Sequence, residues 1–219
     1  MNPEELRKEY QEKNDQIQSR LEDFRKLRDA DDERLFEELV FVLLTSQTRA
    51  EKAWEAAEEL RERGLLMEGS EEEIARVLQD NSVQYERNKA GYIIRNRKIL
   101  SQPTLKEPGG GLKLKNRVSH EDLGKTRSWV VENMEGMGWK GASHFLRNIG
   151  YGNGFAIISG HIARKLHQLD VTETPEPPSG KEEYLETEEK MQAFSEQIGI
   201  PVKELDLLLW SLETGEVFK

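Results

Sequence analysis

Met134-Glu-Gly-Met-Gly-Trp-Lys-Gly-Ala-Ser-His-Phe-Leu-Arg-Asn-Ile149 joins two helical patterns through the turn Gly136-Met137-Gly138. Two glycines around one residue predict a hairpin too tight for side chains. Its N–H groups then point outward beside the start of the next helix. A helix start carries about half a positive charge and is a ready anion site. A GxG turn also occurs in plain helical hairpins that bind nothing, and taken alone it fits that simpler reading. Lys140 lies just past the turn. A positive helix end and burial both depress an amine pKa, and a neutral amine is a nucleophile. An exposed surface lysine is the plain alternative. The small residues Gly141, Ala142 and Ser143 leave room around it.

Working outward, nearly every segment reads as helix. Pro3, Glu4 and Glu5 open a long one to about Leu27, with apolar or aromatic stations at Leu6, Tyr10, Ile17, Leu21 and Phe24. Asp31 and Asp32 can cap a second through Leu43, and residues 45–48 interrupt it. A helix over about 50–63 ends at Gly64. Ser70 and Glu73 form a capping box. Tyr85 to Leu100 reads as a basic amphipathic helix with Tyr92, Ile93 and Ile94 toward the core. Residues 101–117, with Pro103, Pro108 and Gly109-Gly110-Gly111, read as a flexible basic loop carrying Lys106, Lys113, Lys115 and Arg117. Helices are expected from about Ser119 to Met134 and on to Asn148. A second turn spans Gly150 to Gly154, and a helix begins near Ser159. An acidic, Pro-rich stretch from residue 170 begins as a solvated linker. Helices over about 181–198 and 201–212 close the chain. No alternating strand pattern and no internal repeat is visible, so the fold class is all-α.

The hydrophobic share of 36% and charged share of 34% over 219 residues suffice for a core and exclude a wholly disordered chain. No apolar run reaches the roughly 18 residues of a membrane span, and the N-terminus lacks signal-peptide features, so an intracellular protein without a membrane role is expected. Zero Cys excludes disulfides, thiolate metal sites and a cysteine nucleophile; four His without an HExxH pair give no zinc motif, so no metal-ligating side chains are expected. Net charge is −10, yet Gln84–Asn148 holds 13 Lys and Arg against 6 Asp and Glu. A basic middle in an acidic envelope reads either as a docking footprint for a polyanion or as a fluctuation in a charge-rich surface.

The order helix, GxG turn, Lys140, helix, short loop and Ala156-Ile-Ile-Ser-Gly-His-Ile162 resembles the helix–hairpin–helix DNA glycosylases. KGASHFLRNIG in particular resembles the second-type, archaeal-type 8-oxoguanine DNA glycosylase/AP lyases. LLTSQTRAEKAWEA (43–56), RNKAGYI (87–93) and LDLLLWSLETGEVFK (205–219) are similar to further blocks of that family, in order over about residues 35–219. The resemblance implies a two-lobed helical bundle containing the helix–hairpin–helix motif. Its lobes would be about 30–135, with the hairpin at about 119–149, and 1–30 with 150–219, in one glycosylase fold. It implies a partner, double-stranded DNA containing 8-oxoguanine or an abasic site, from which a damaged purine is flipped into a pocket. It also implies Schiff-base chemistry at Lys140 followed by β-elimination. Gly136 and Gly138 would hold a phosphate, with an Na⁺ or K⁺ at the hairpin and no other cofactor. Lys219 and Trp210 match residues that contact the extruded base, although Trp210 also suits core packing. Gln47 matches a residue that fills the gap left by that base, although it also suits a polar loop.

One position departs from the family. Ser159 stands where the family carries an Asp that activates the lysine and stabilises the sugar cation. Serine caps a helix equally well but supplies no negative charge. The function implied is therefore excision of 8-oxoguanine with strand nicking, impaired at Ser159. The alternative is a lesion-binding protein with little or no glycosylase activity. A helical interaction module without a DNA role is a third. A monomer in the prokaryotic cytoplasm, associated with the nucleoid and of archaeal type, is expected.

Overall fold

The computed structural model describes residues 2–103, 111–118, 121–152 and 154–219. Among these residues there is no strand. Contacts divide the chain into two units, Asp29–Phe145 and Met1–Arg28 with Leu146–Lys219.

The Asp29–Phe145 unit is built around α2 (Asp32–Leu44). Every residue from Leu35 to Leu44 on α2 is buried. A helix apolar on all sides belongs at the centre of a unit, and its neighbours wrap it. Those neighbours are α3 (Ala50–Glu62), α4 (Leu65–Glu68), α6 (Glu86–Leu100), α7 (Leu114–Arg117) and, through His144 against Phe41, the start of α9 (Trp139–Asn148); α5 (Glu71–Asp80) packs on α6 and α3, and α8 (Leu123–Asn133) leads into the hairpin before α9. α3 presents Ala53, Ala56, Ala57 and Leu60 inward, small residues that permit close approach. Glu37 and Glu38 lie fully within α2's buried face. Arg34 reaches them at 2.9 and 3.4 Å, and Arg61 meets Glu37 at 3.0 Å. The carboxylates are buried while both guanidinium groups reach solvent, so the cations bring the charge of α2 to the surface of the unit.

The helix signals of the sequence operate as expected. Asp31 caps α2 through Arg34 N–H, and Ser70 with Glu73 forms the full capping box of α5. Gly64, at φ 68°, ends α3. Two short helices were missed. Gly64 reverses the chain directly into α4, which buries Leu66. The stretch expected as a flexible loop holds α7, with Leu112 and Leu114 buried. Lys113 is buried too, so it is not the exposed loop cation expected. Lys106 and the 104–110 part of that loop lie outside the described residues. The helix expected from Ser119 begins at Leu123, capped by Asp122.

The other unit joins α1 (Pro3–Lys26) and the end of α9 to α10 (Gly160–Gln168), α11 (Lys181–Ile198) and α12 (Val202–Thr214). α1 opens with a capping box of Asn2 and Glu5. It is pinned to α12 by Tyr10 and Gln18, which both donate to Glu204, at 2.5 and 2.9 Å. Burial and the Glu204 carboxylate push the Tyr10 phenol up to about 12. Arg147 pairs with Asp206 at 3.2 Å, both almost fully buried. Burial outweighs the guanidinium there and pushes the Asp206 carboxyl up to about 6. No helix among the described residues is long and apolar enough to cross a membrane.

α9 ends in a Schellman turn: Gly150 N–H donates to Arg147 O at 2.9 Å and Tyr151 N–H to Leu146 O at 2.8 Å. Gly150 takes φ 83°. A Cβ on Gly152 would lie 2.4 Å from Arg147 Cα, a main-chain atom that cannot step aside. Gly152→Ala is therefore expected to destabilise the protein by about 2–3 kcal/mol, read as a lowered urea midpoint at unchanged slope.

Candidate functional site

The hairpin between α8 and α9 is fixed from two sides. Asn96 on α6 is fully buried and bonds both main-chain groups of Glu135, donating to its oxygen at 3.0 Å and accepting its N–H at 2.8 Å. Met137 N–H turns inward onto Met134 O at 3.2 Å. Gly136 has φ 78°, and a Cβ there would lie 2.8 Å from the Tyr92 ring and 3.4 Å from Leu43. Gly138 is different: nothing lies within 4 Å of its Cβ position. The expectation that both glycines are sterically required thus holds for Gly136 alone. Among the described residues neither the Gly136 nor the Gly138 N–H meets an acceptor, which leaves both free for an anion at the start of α9.

Lys140 is the second residue of α9 and is half-buried. Burial pushes its amine below the ordinary lysine value. Among the described residues of its unit no hydrogen bond or ion pair reaches it. The small residues after it serve packing rather than space. A Cβ on Gly141 would touch Met137 Sδ at 3.3 Å, Ala142 is buried, and Ser143 Oγ accepts from Arg127 at 3.2 Å.

Gln47 is exposed and takes φ 55°, a left-handed conformation rare for its side chain. It lines a cavity of about 320 Å³ together with Leu43, Tyr85, Lys89, Tyr92 and Gly136. Gln47 and the hairpin are thus brought to one place. Sequence reading missed Lys89. Its Nζ donates to Leu44 O at 2.9 Å, Ser46 O at 2.6 Å and Thr48 Oγ1 at 3.0 Å. Burial first, and then the charge of Lys140, pushes its ammonium down to about 8. Lys89, Ile93, Asn96 and Leu100 are all buried, at helical spacings of 4, 3 and 4. That stripe was the available signal. The expected core face at Tyr92, Ile93 and Ile94 is correct only for Ile93, its neighbours being half-buried. Tyr85 precedes α6 in a left-handed conformation and is 56% exposed.

The remaining predicted residues lie in the other unit. Ser159 caps α10, its Oγ accepting Ile162 N–H at 3.3 Å. The strand-like stretch before it is strapped by α11: Glu188 accepts Ala156 N–H at 2.8 Å, and Tyr184 donates to Ala156 O at 2.7 Å. Trp210 on α12 is half-buried, with His161 edge-on to it at 5.2 Å. Two residues of α10 therefore tie Ser159 to Trp210. Lys219 is half-buried, and its charge helps hold the Asp23 carboxyl of α1 below its usual range, after Lys26 and Arg20.

No group of three or more His, Cys, Asp and Glu suited to a metal occurs among the described residues. A monovalent ion at the hairpin would have to use main-chain oxygens. Of these, Met134, Glu135 and Gly138 oxygens each already accept an N–H, so the hairpin offers such an ion a partly engaged set.

Residues 17–200 match the family model Ogg-HhH, 8-oxoguanine DNA glycosylase. A protein of Fusobacterium nucleatum named 8-oxoguanine DNA glycosylase/AP lyase is 35% identical over 217 residues, 98% of this chain and 96% of its own. One of Korarchaeum cryptofilum with the same name is 37% identical over 203 residues, 93% of this chain and 90% of its own. Among solved structures, the Methanocaldococcus jannaschii 8-oxoguanine glycosylase/lyase in complex with a 15mer DNA containing 8-oxoguanine superimposes with a TM-score of 0.84. It is 30% identical, and the match covers 98% of this chain and 99% of that one.

The two hairpin glycines separate by prediction. Gly136→Ala, with a positive φ and the Tyr92 ring against it, is expected to cost about 2 kcal/mol or more. Gly138→Ala is expected to stay within about 1 kcal/mol of the parent. Thermal melts of the two variants check this.

Proposed function

The chain belongs to the 8-oxoguanine DNA glycosylase family, and on that premise we propose that it excises 8-oxoguanine from double-stranded DNA and nicks the abasic strand through Lys140. The observation that carries the reading is Lys140 itself: an amine at the first turn of α9, with its proton affinity lowered by burial, shortly after two glycine N–H groups that meet no acceptor among the described residues. Those N–H groups suit a backbone phosphate. In the reaction the neutral Nζ bonds to the sugar C1′, and the bond from C1′ to the base breaks with its electron pair leaving on the base. Opening of the ring bond to O4′ gives a protonated Schiff base between Nζ and C1′. Loss of a C2′ proton then expels the phosphate at C3′, which is the nick. Lys140→Gln keeps the bulk and loses the amine. It is expected to abolish borohydride trapping on abasic DNA while leaving binding in place; trapping that persists would move the nucleophile elsewhere.

Trp210 and Lys219 support contact with the extruded base, Gln47 supports filling the gap it leaves, and an Na⁺ or K⁺ at the hairpin stays a minor part of the reading. A monomer acting on chromosomal DNA in the prokaryotic cytoplasm fits the bacterial and archaeal sources of the relatives.

Ser159 supports a second reading, a lesion binder that excises slowly. A carboxylate stabilises the sugar cation of base loss far better than a hydroxyl, and losing such a group costs on the order of 10² in rate. Abasic-site cleavage needs it less, because the aldehyde is already an electrophile. Ser159→Asp is therefore expected to raise single-turnover excision by roughly 10² and nicking by much less. The fold should be unchanged, because both side chains cap α10. Equal gains in the two rates would refute the assignment of position 159.

A further inference from the structure

The unit of residues 1–28 and 146–219 holds a cavity of about 240 Å³ whose ionisable lining is all of one sign. Arg25 of α1, Arg28 just after it, Arg147 of α9 and Lys203 of α12 line it beside the turn glycines Gly150 and Gly152. Among the described residues no carboxylate joins that lining. We propose that this cavity binds a phosphate group. The reaction scheme above does not use it, and the assignment does not depend on Lys140 being the nucleophile.

The glycines make the space. Gly150 takes φ 83°, and a Cβ there would lie 2.9 Å from Arg28 Cγ. A Cβ on Gly152 would lie 2.5 Å from Arg147 Cβ. A side chain at either position would push one of the two arginines out of the place it holds in the wall.

Both of those guanidinium groups are fixed before any ligand arrives. Arg28 sits over the Tyr151 ring at 4.9 Å and Arg147 over the Phe24 ring at 5.0 Å. Arg28 Nε donates to Gly150 O at 2.7 Å and its Nη2 meets the same oxygen. Its Nη1 keeps its donors without a partner among the described residues. Arg147 is held by Asp206 at 3.2 Å, both almost fully buried. Cations held in this way lose little side-chain freedom when an anion binds.

The carboxylates nearest the cavity leave it accessible to an anion. Asp206 is engaged with Arg147. Glu22 meets Arg25 at 2.6 Å, and both side chains are about half exposed. An exposed pair of this kind contributes little, so an anion in the cavity competes for Arg25. The four cations come from three parts of the chain and approach from different sides. A tetrahedral phosphate offers oxygens in several directions, whereas a planar carboxylate serves one fork well. The volume lies below the roughly 300–1,000 Å³ of pockets that enclose drug-sized ligands, so a phosphate group with ordered water suits it better than a whole nucleotide. Two sources carry this chemistry: a phosphodiester of the DNA backbone and free inorganic phosphate.

The test compares the full chain with the double variant Arg25→Gln/Lys203→Gln, which leaves Arg28 and Arg147 and their bonds in place. In the first arm inorganic phosphate is titrated at constant ionic strength, and the ¹⁵N signals of arginine side chains are read, with Arg28→Lys to assign that of Arg28. The Arg28 signal is expected to shift saturably in the parent, and the double variant to need at least about tenfold more phosphate. The second arm is the salt dependence of binding to duplex DNA carrying a tetrahydrofuran abasic analogue, which cannot be nicked through a Schiff base. A backbone phosphate in the cavity is expected to make the slope of log affinity against log salt shallower by about one in the double variant. A changed slope assigns the cavity to DNA. A changed phosphate titration with an unchanged slope assigns it to free phosphate. An unchanged slope together with an Arg28 signal that phosphate does not move, or moves equally in both proteins, overturns the proposal. Should the double variant not fold, the parent decides: an Arg28 signal unmoved by both inorganic phosphate and the duplex overturns it, and a saturable shift with either one supports it and names the source.

Discussion

Each helix leaves its last carbonyl oxygens without partners inside the helix, and in the Asp29–Phe145 unit three such chain ends are satisfied by polar side chains of α6. Lys89 takes the end of α2 at Leu44 and Ser46. Asn96 takes the hairpin after α8 through both main-chain groups of Glu135. Arg97 takes the end of α4 through Leu66 O at 3.1 Å and Gly69 O at 2.9 Å. Leaving a buried acceptor unmet costs about 1–3 kcal/mol, so these bonds decide where three turns lie. Two of those turns are the loop carrying Gln47 and the hairpin leading to Lys140. The loop carrying Gln47 and the hairpin before α9 are therefore registered to one another through a single helix.

That arrangement changes the meaning of the basic middle of the chain. Counted along the sequence, it is a positive footprint. In the fold, Lys89, Lys113, Arg127 and Arg147 are buried, and Arg97 is spent on carbonyls. Arg95 is matched by Glu135. Much of the positive count is internal wiring, and the surface that can meet a polyanion is less basic than the count suggests. In the proposed reading, affinity for phosphate then leans on main-chain N–H groups at the hairpin and on the cations that remain exposed, such as Arg87 and Lys98. Neutral donors of this kind give bonds that salt weakens less than it weakens ion pairs.

The all-helical fold was legible because local signals agree with it. Caps at Asp31, Ser70 and Ser159, the reversal at Gly64, and apolar stripes on α1, α2 and α12 each need only neighbours within one or two turns. The short helices α4 and α7 were not legible, because a single buried leucine anchors each and no periodicity can show in four residues. Of the candidate site, the turn at Gly136–Gly138 and the place of Lys140 at the start of α9 were readable from the motif alone. Lys89 and Asn96 were not, since a polar residue on an amphipathic helix is assigned to solvent by default. Only the position of acceptors from distant turns reverses that assignment, and those acceptors are main-chain atoms that carry no sequence signature.

Position 159 shows how the fold and the chemistry constrain one residue differently. The cap of α10 needs an oxygen that accepts Ile162 N–H, and Ser159 supplies it at 3.3 Å. The stretch before it is held independently, by Tyr184 and Glu188 on α11. A negative charge at that helix start would add only about 0.3–1 kcal/mol of stability. At a sugar bearing developing positive charge, the same negative charge is worth about 3 kcal/mol of barrier. The fold is thus nearly indifferent to the exchange of carboxylate for hydroxyl, whereas the role proposed for this position at the sugar is not. A chain can keep the whole architecture of the family, with its hairpin, its lysine and its capped α10, whichever of the two side chains stands at position 159, because either one accepts the Ile162 N–H.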